Sequence, residues 1–198
     1  MKNIFYIMLL IITVTVFSFS CNKSESVSQG KSESNSTVEK VGIKNFTLTF
    51  NKGLEKASNE KKNMLVDFYT DWCHWCKVMD EKTFNNPEIA KKLSERFVTV
   101  RLNAESRTET ATFKGKKYDN IELTGAFRVR GFPSLAFISS EQEIITVIPG
   151  YIPPETFTLI LDYIDQECYK KQMSFEEFMK KKGECEDSLR TEKRDAKI

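Results

Sequence analysis

The sequence has no surplus of charge: 30 basic and 28 acidic residues leave a formal net charge of +2. A near balance of this kind gives no electrostatic footprint for nucleic acid, and no nucleic-acid partner is expected. Runs such as "EKK" and "KKK" read as solvated helix faces. The chain also lacks a second histidine, having only His74. A structural zinc site normally needs four ligands, often as two close-spaced pairs. Only Cys73 and Cys76 are close together, with Cys168 and Cys185 far apart, so no metal is expected. Nor is there a run long enough for a stable membrane span, which takes about 20 apolar residues. The longest such run, Ile4 to Phe19, falls short. What is present, 40% hydrophobic residues in a chain of 198, suits one globular domain with some extra segments.

The apolar run follows a positive Lys2 and leads through Ser18, Phe19 and Ser20 to Cys21. This is the layout of a secretory signal over residues 1–20. A cysteine directly after a small residue resembles a bacterial lipoprotein signal, although Ser18 stands where leucine is usual. That resemblance implies that Cys21 becomes the lipid-bearing first residue. Location in the periplasm or on the outer face of a bacterial membrane follows, and a plain cleaved signal or an uncleaved anchor would export the chain too. Residues 21–41, with "NKSESVSQGKSESNSTVEK" at their centre, hold too little apolar surface to order themselves and read as a tether.

The folded part is expected over residues 42–172, with a helical extension over 173–198. "FTLTF" (46–50) alternates like a strand, and residues 51–62 read as a polar surface helix. "MLVDFYT" (64–70) is apolar enough for a central strand covered on both faces. A helix is expected from Cys73 to about Thr83, then another opened by Asn86-Pro87-Glu88. "FVTVRLN" (97–103) is a second strand, "FKGKKY" (113–118) a small hairpin, and 122–127 a short helix. Residues 134–139 and 143–149 should pair antiparallel across their short polar turn. A helix over 155–170 carries an apolar stripe that includes Cys168. Ser174 and Glu177 form a capping box for a last helix that Gly183 stops. The order predicts an α/β fold with a mixed central sheet and helices on both faces.

"DFYTDWCHWCKVMD" (67–80) places Cys73 and Cys76 three positions apart where a strand gives way to a helix. The pair could be a redox couple, half a metal site or a structural bridge. A bridge here would close too short a loop to constrain much of the unfolded chain. A cysteine at the start of a helix meets unpaired N–H groups and the positive end of the macrodipole, and both favour thiolate. Cys73 is then the exposed attacking sulfur, and Cys76, one turn inward, is the sheltered one that resolves a mixed disulfide. His74 either adds to thiolate stabilisation when protonated or simply faces solvent.

"LVDFYTDWCHWCK" resembles the active-site strand and helix of the thioredoxin superfamily, and "VRGFPS" (129–134) resembles that family's cis-proline segment. The longer run from Asp71 to Asn103 is similar to exported thioredoxin-like proteins related to the soluble domain of thiol–disulfide interchange proteins. The resemblance implies a three-layer sandwich, a cis Pro133, and Asp67 as a buried acid under Cys76. Arg101 stands where the family often has lysine, and Lys77 follows the motif as it often does there. Trp72, His74, Trp75, Phe132 and Pro133 are the implied substrate-binding residues. Cys168 and Cys185 either form a second disulfide that fastens the extension or leave Cys168 as a buried thiol. The implied function is an exported, membrane-tethered thiol–disulfide oxidoreductase. Its catalytic residues are Cys73, Cys76 and Asp67, and it needs no organic cofactor because the electrons reside in the cysteine pair. Its partners would be protein thiols or disulfides, an upstream redox protein, and the membrane through the lipid. Two alternatives stand beside it: a non-catalytic module holding client peptides near Pro133, and a dedicated reductant in cytochrome c maturation.

Overall fold

A strand covered on both faces must be apolar at nearly every position, and "NMLVDFY" meets that demand everywhere but at its first residue and Asp67. In the computed structural model, which describes residues 46–185, this segment forms β1 (Asn63–Tyr69). It lies inside a four-stranded sheet ordered β2 (Phe97–Asn103), β1, β5 (Ser134–Ile138), β6 (Ile144–Pro149). β2 runs parallel to β1 and sets Arg101 opposite Asp67, while β5 runs antiparallel and sets Leu135 opposite Asp67. β6 closes one edge, antiparallel to β5, with a bulge between Phe137 and Ile138.

The period of two divides β1 between two cores. Met64, Val66 and Phe68 face α1 (Phe50–Glu60), α4 (Asn120–Ala126) and the hairpin of β3 (Thr110–Phe113) and β4 (Lys116–Asp119). Leu65 faces the other side, where α2 (His74–Met79), α3 (Pro87–Arg96) and α5 (Pro154–Asp165) bury Met79, Leu93, Phe157 and Leu161. Alternation puts Asp67 on this second side, beneath α2. The α/β sandwich with a mixed sheet is thus present, with helices on both faces.

Four local expectations need correction. Residues 46–50 form no strand: Leu48 makes a single parallel bridge with Val100, and α1 begins at Phe50. Their alternation has another cause. Phe46 packs on Phe84 in one core while Phe50 packs on Phe113 and Phe127 in the other, so the segment crosses the sheet's edge. The helix after Cys73 is α-helical only to Met79 and continues as a π-helical turn, Asp80–Phe84. The wider turn lets Met79, Thr83 and Phe84 all be buried, and Thr83 donates to the Ile152 carbonyl at 2.7 Å. Cys73 itself stands outside that helix as its N-cap. Finally, α5 stops at Asp165, and the positive φ of Glu167 turns the chain before Cys168.

Cys168 is nevertheless fully buried, with Met173 and Phe178, where α6 (Phe175–Lys180) folds back toward α5. Ser174 and Glu177 make the capping box of α6, and Gly183 follows at φ +86°. Tyr163 donates to the Met173 carbonyl at 2.6 Å, and Cys168 is disulfide-bonded to Cys185, 17 positions on. Closing a loop of that length is worth about 3 kcal/mol in the chain-entropy account. The expected signal sequence, the expected tether and Cys21 lie outside the described residues, as does the expected extension beyond residue 185.

α1 comes close to the sheet at Gly53, where an added methyl would overlap Val100 Cγ2 and lie 2.8 Å from Met64 Sδ. Both neighbours are buried, so they have little room to yield. Gly53→Ala should therefore destabilise the fold by about 1–3 kcal/mol, despite alanine's better helix propensity. Urea denaturation checks this, and unchanged or raised stability would contradict it.

Candidate active site

β1 ends at Tyr69, and a short turn carries the chain into α2. The Cys73 amide closes that turn by donating to the Thr70 carbonyl at 3.2 Å. As N-cap, Cys73 has an extended backbone, and its Sγ accepts the Cys76 amide at 3.0 Å. Sulfur thus takes the place usually held by a serine, threonine or aspartate oxygen. The two cysteines form a disulfide with their Cα atoms 5.3 Å apart.

In this oxidised form Cys73 is 3% exposed and Cys76 2%, so the expected contrast between an exposed and a sheltered sulfur is not seen. The N-cap geometry explains it, because the sulfur folds inward over the first helical turn. The inequality lies in hydrogen bonding instead. Among the described residues only Cys73 Sγ receives an amide. A hydrogen bond donated to sulfur favours, in general, the charged form of a thiol over the neutral one.

Asp67 is 1% exposed on the α2 side of β1. Arg101 approaches from β2, its Nε 3.4 Å from Asp67 Oδ2. Its better hydrogen bond goes elsewhere: Nη2 donates to Asp80 Oδ2 at 2.9 Å. Asp67 Oδ1 and Arg101 Nε have no hydrogen-bond partner. The guanidinium also lies 4.2 Å over the Tyr69 ring. Burial pushes the Asp67 pKa up to about 7; the positive charge of Arg101 opposes the rise and the Asp80 carboxylate adds to it. Burial wins because the arginine supplies attraction without a good hydrogen bond. Asp80 was not anticipated, yet its spacing was a signal: it lies four residues after Cys76, one helical turn on.

Around the disulfide the surface is aromatic. Trp72 is 68% exposed and Trp75 54%. The Trp72 ring meets Phe132 edge-on at 6.2 Å, and its indole donates to Glu105 Oε2 at 3.0 Å. Trp75 packs against Tyr151 at 5.6 Å and against His74 at 5.7 Å. The Phe132–Pro133 peptide bond is cis. Sequence reasoning missed Tyr151, which follows β6 without a local signal of its own; the Thr83–Ile152 hydrogen bond helps hold that segment in place. Among the described residues no group of His, Cys, Asp and Glu could hold a metal ion.

A disulfide at the N-cap of the helix that follows a central strand, beside a cis-proline turn, defines a thioredoxin-like oxidoreductase fold. The model for the thioredoxin-like domain family matches residues 50–165, and the chain belongs to that family. It is 30% identical over 116 residues to the thiol:disulfide interchange protein DsbD of Vibrio cholerae, covering 58% of this chain and 17% of that protein. It is 40% identical over 55 residues to human spermatogenesis-associated protein 20, covering 28% of this chain and 7% of that one. The chain therefore spans less than a fifth of these curated relatives. Among solved structures, a thioredoxin-fold protein from Helicobacter pylori superposes with a TM-score of 0.51 at 22% identity, over 62% of this chain and 80% of that one. This last likeness speaks for the fold alone.

A carboxyl group whose pKa is raised by folding is tolerated while protonated and opposes folding once ionised. Stability should therefore fall as pH rises from about 4, the ordinary carboxyl value, through about 7, the folded value of Asp67. Asp67→Asn removes that loss. The stability difference between variant and wild type should grow by roughly 4 kcal/mol from pH 4 to pH 8 in urea denaturation. A difference independent of pH would contradict the assignment.

Proposed function

We propose that the protein is a thiol–disulfide oxidoreductase, exported and held at a membrane by lipid on Cys21, that exchanges disulfides with client proteins through Cys73 and Cys76. The observation that carries this reading is the amide held on Cys73 Sγ, which makes one sulfur of the pair the better thiolate. In the reducing direction, Cys73 thiolate attacks a client disulfide. A mixed disulfide forms and one client thiolate leaves. Cys76 then attacks Cys73 Sγ, the Cys73–Cys76 bond forms, and the second client sulfur leaves as a thiol. Two electrons pass from the pair to the client, and an upstream dithiol restores them. The oxidising direction reverses every step. No organic cofactor is needed.

Asp67 serves the resolving step, when the Cys76 thiol must lose its proton. A buried carboxyl titrating near 7 is matched to accepting a proton at neutral pH. Arg101 and Asp80 tune it. Trp72, Trp75 and Phe132 offer apolar contact to an unfolded or extended client, and His74 stands at their rim. The chain around cis-Pro133 offers backbone groups with which such a client pairs as an added strand. The apolar run of residues 4–19 and the Ser20-Cys21 junction support export and lipidation.

Reduction of insulin by dithiothreitol tests the chemistry. Catalytic amounts of wild type should speed precipitation of the insulin B chain, and Cys73→Ser should return the rate to that of dithiothreitol alone. Equal activity in the variant would eliminate the mechanism and favour a client-binding module.

A further inference from the structure

A cavity of about 590 Å³ opens beside the cis-proline turn, on the face of the sheet that α4 covers. Phe127, Val129, Val147 and Pro149 give it apolar walls, and Arg128 and Arg130 stand at its mouth. Both arginines are exposed, and among the described residues neither makes an ion pair. The acids nearest in sequence are already engaged: Asp119 and Glu122 in the capping box of α4, Glu141 with Ser140 and Lys170, and Glu143 with Lys114. The groove thus presents two uncompensated guanidinium groups over apolar side chains, in a chain whose overall charge is nearly balanced.

Its position ties it to the disulfide. Ser134 lines it and directly follows Pro133, Pro149 pairs with Ser134, and the Gly150 amide donates to the Pro133 carbonyl at 2.8 Å. Phe132 and Tyr151 flank this junction and touch Trp72 and Trp75, the residues beside Cys73 and Cys76. Its outer wall is β6, whose far edge pairs with no strand among the described residues and whose Ile144 is 39% exposed. No lysine or arginine interrupts Ile144–Pro149 to blunt that edge.

We propose that this groove selects clients: it takes an extended acidic stretch, a carboxylate side chain next to an apolar one, a few residues from the reacting cysteine. The proposal deepens the thiol-exchange reading and rests on it for the word client. An arginine fork pairs with a carboxylate through two parallel hydrogen bonds. The apolar walls accept the neighbouring side chain, and the open edge of β6 supplies main-chain bonding to an extended segment. A polypeptide suits this combination better than a nucleic acid. Phosphate binding calls for a broader basic field, and apolar walls add nothing to it.

Cysteine-free peptides test the groove without turnover. The oxidised full chain is titrated with three fluorescent peptides of about ten residues. They differ only in carrying two glutamates, two glutamines or two lysines beside a leucine. The glutamate peptide should bind at least about fivefold tighter than the glutamine one. That margin should shrink as salt rises from about 50 to about 500 mM. It should vanish in Arg128→Gln/Arg130→Gln and survive in Arg128→Lys/Arg130→Lys. Equal affinity for the three peptides, or a margin that persists in the glutamine variant, would overturn the proposal. So would a single-stranded oligonucleotide that displaces the glutamate peptide and loses its own affinity in that variant. Loss of insulin reduction with the peptide preference intact would sink the thiol-exchange reading and leave an acid-selective groove. The reverse result would sink the groove alone.

Discussion

One hydrogen bond organises the site: the amide of Cys76 on the sulfur of Cys73. It exists because a helix starts where β1 ends, and a helix's first amides have no partners within the helix. β1 is held on both faces and on both edges, so its end is a fixed point. The turn closed by Cys73 and Thr70 then leaves little freedom in where α2 begins. The sulfur that caps the helix is therefore unlike the sulfur one turn further on, even though burial treats the two alike.

Beneath that pair, charge is arranged with little slack. A carboxylate inside the sheet would ordinarily be neutralised by protonation or by a close, well-bonded cation. Asp67 has neither in full, because Arg101 aims its good hydrogen bond at Asp80. The outcome is an acid balanced near neutrality rather than one locked in either state. Asp80 reaches the arginine from the junction where α2 gives way to the π-helical turn. Helix geometry and acid strength are therefore coupled through one guanidinium.

Much of this can be read along the chain where the signal is local. The apolar runs of β1 and β2 foretell strands, Asn86-Pro87 and Ser174…Glu177 foretell helix starts, and the spacing of Cys73 and Cys76 foretells a bond. Where the cause lies across space the sequence misleads. The alternation of Phe46, Leu48 and Phe50 reflects a crossing between two cores, not a ladder. The stripe that includes Cys168 outlasts the helix because α6 buries that residue after α5 has ended. The pairing of Asp80 with Arg101 joins residues 21 positions apart, and the arginine groove assembles from the α4–β5 connection and β6. For the first, only the helical spacing of Asp80 from Cys76 is a local hint; the second leaves no pattern in any short window.

The proposed exchange chemistry requires Cys73 to ionise ahead of Cys76. Its most direct test is alkylation of the freshly reduced protein by iodoacetamide across pH 4 to 9, with the labelled site read by mass spectrometry. Cys73 should carry the label first, with a midpoint below about 7.5, and Cys76 should stay unmodified until well above it. Equal labelling of the two cysteines, or inertness of both at neutral pH, would contradict it.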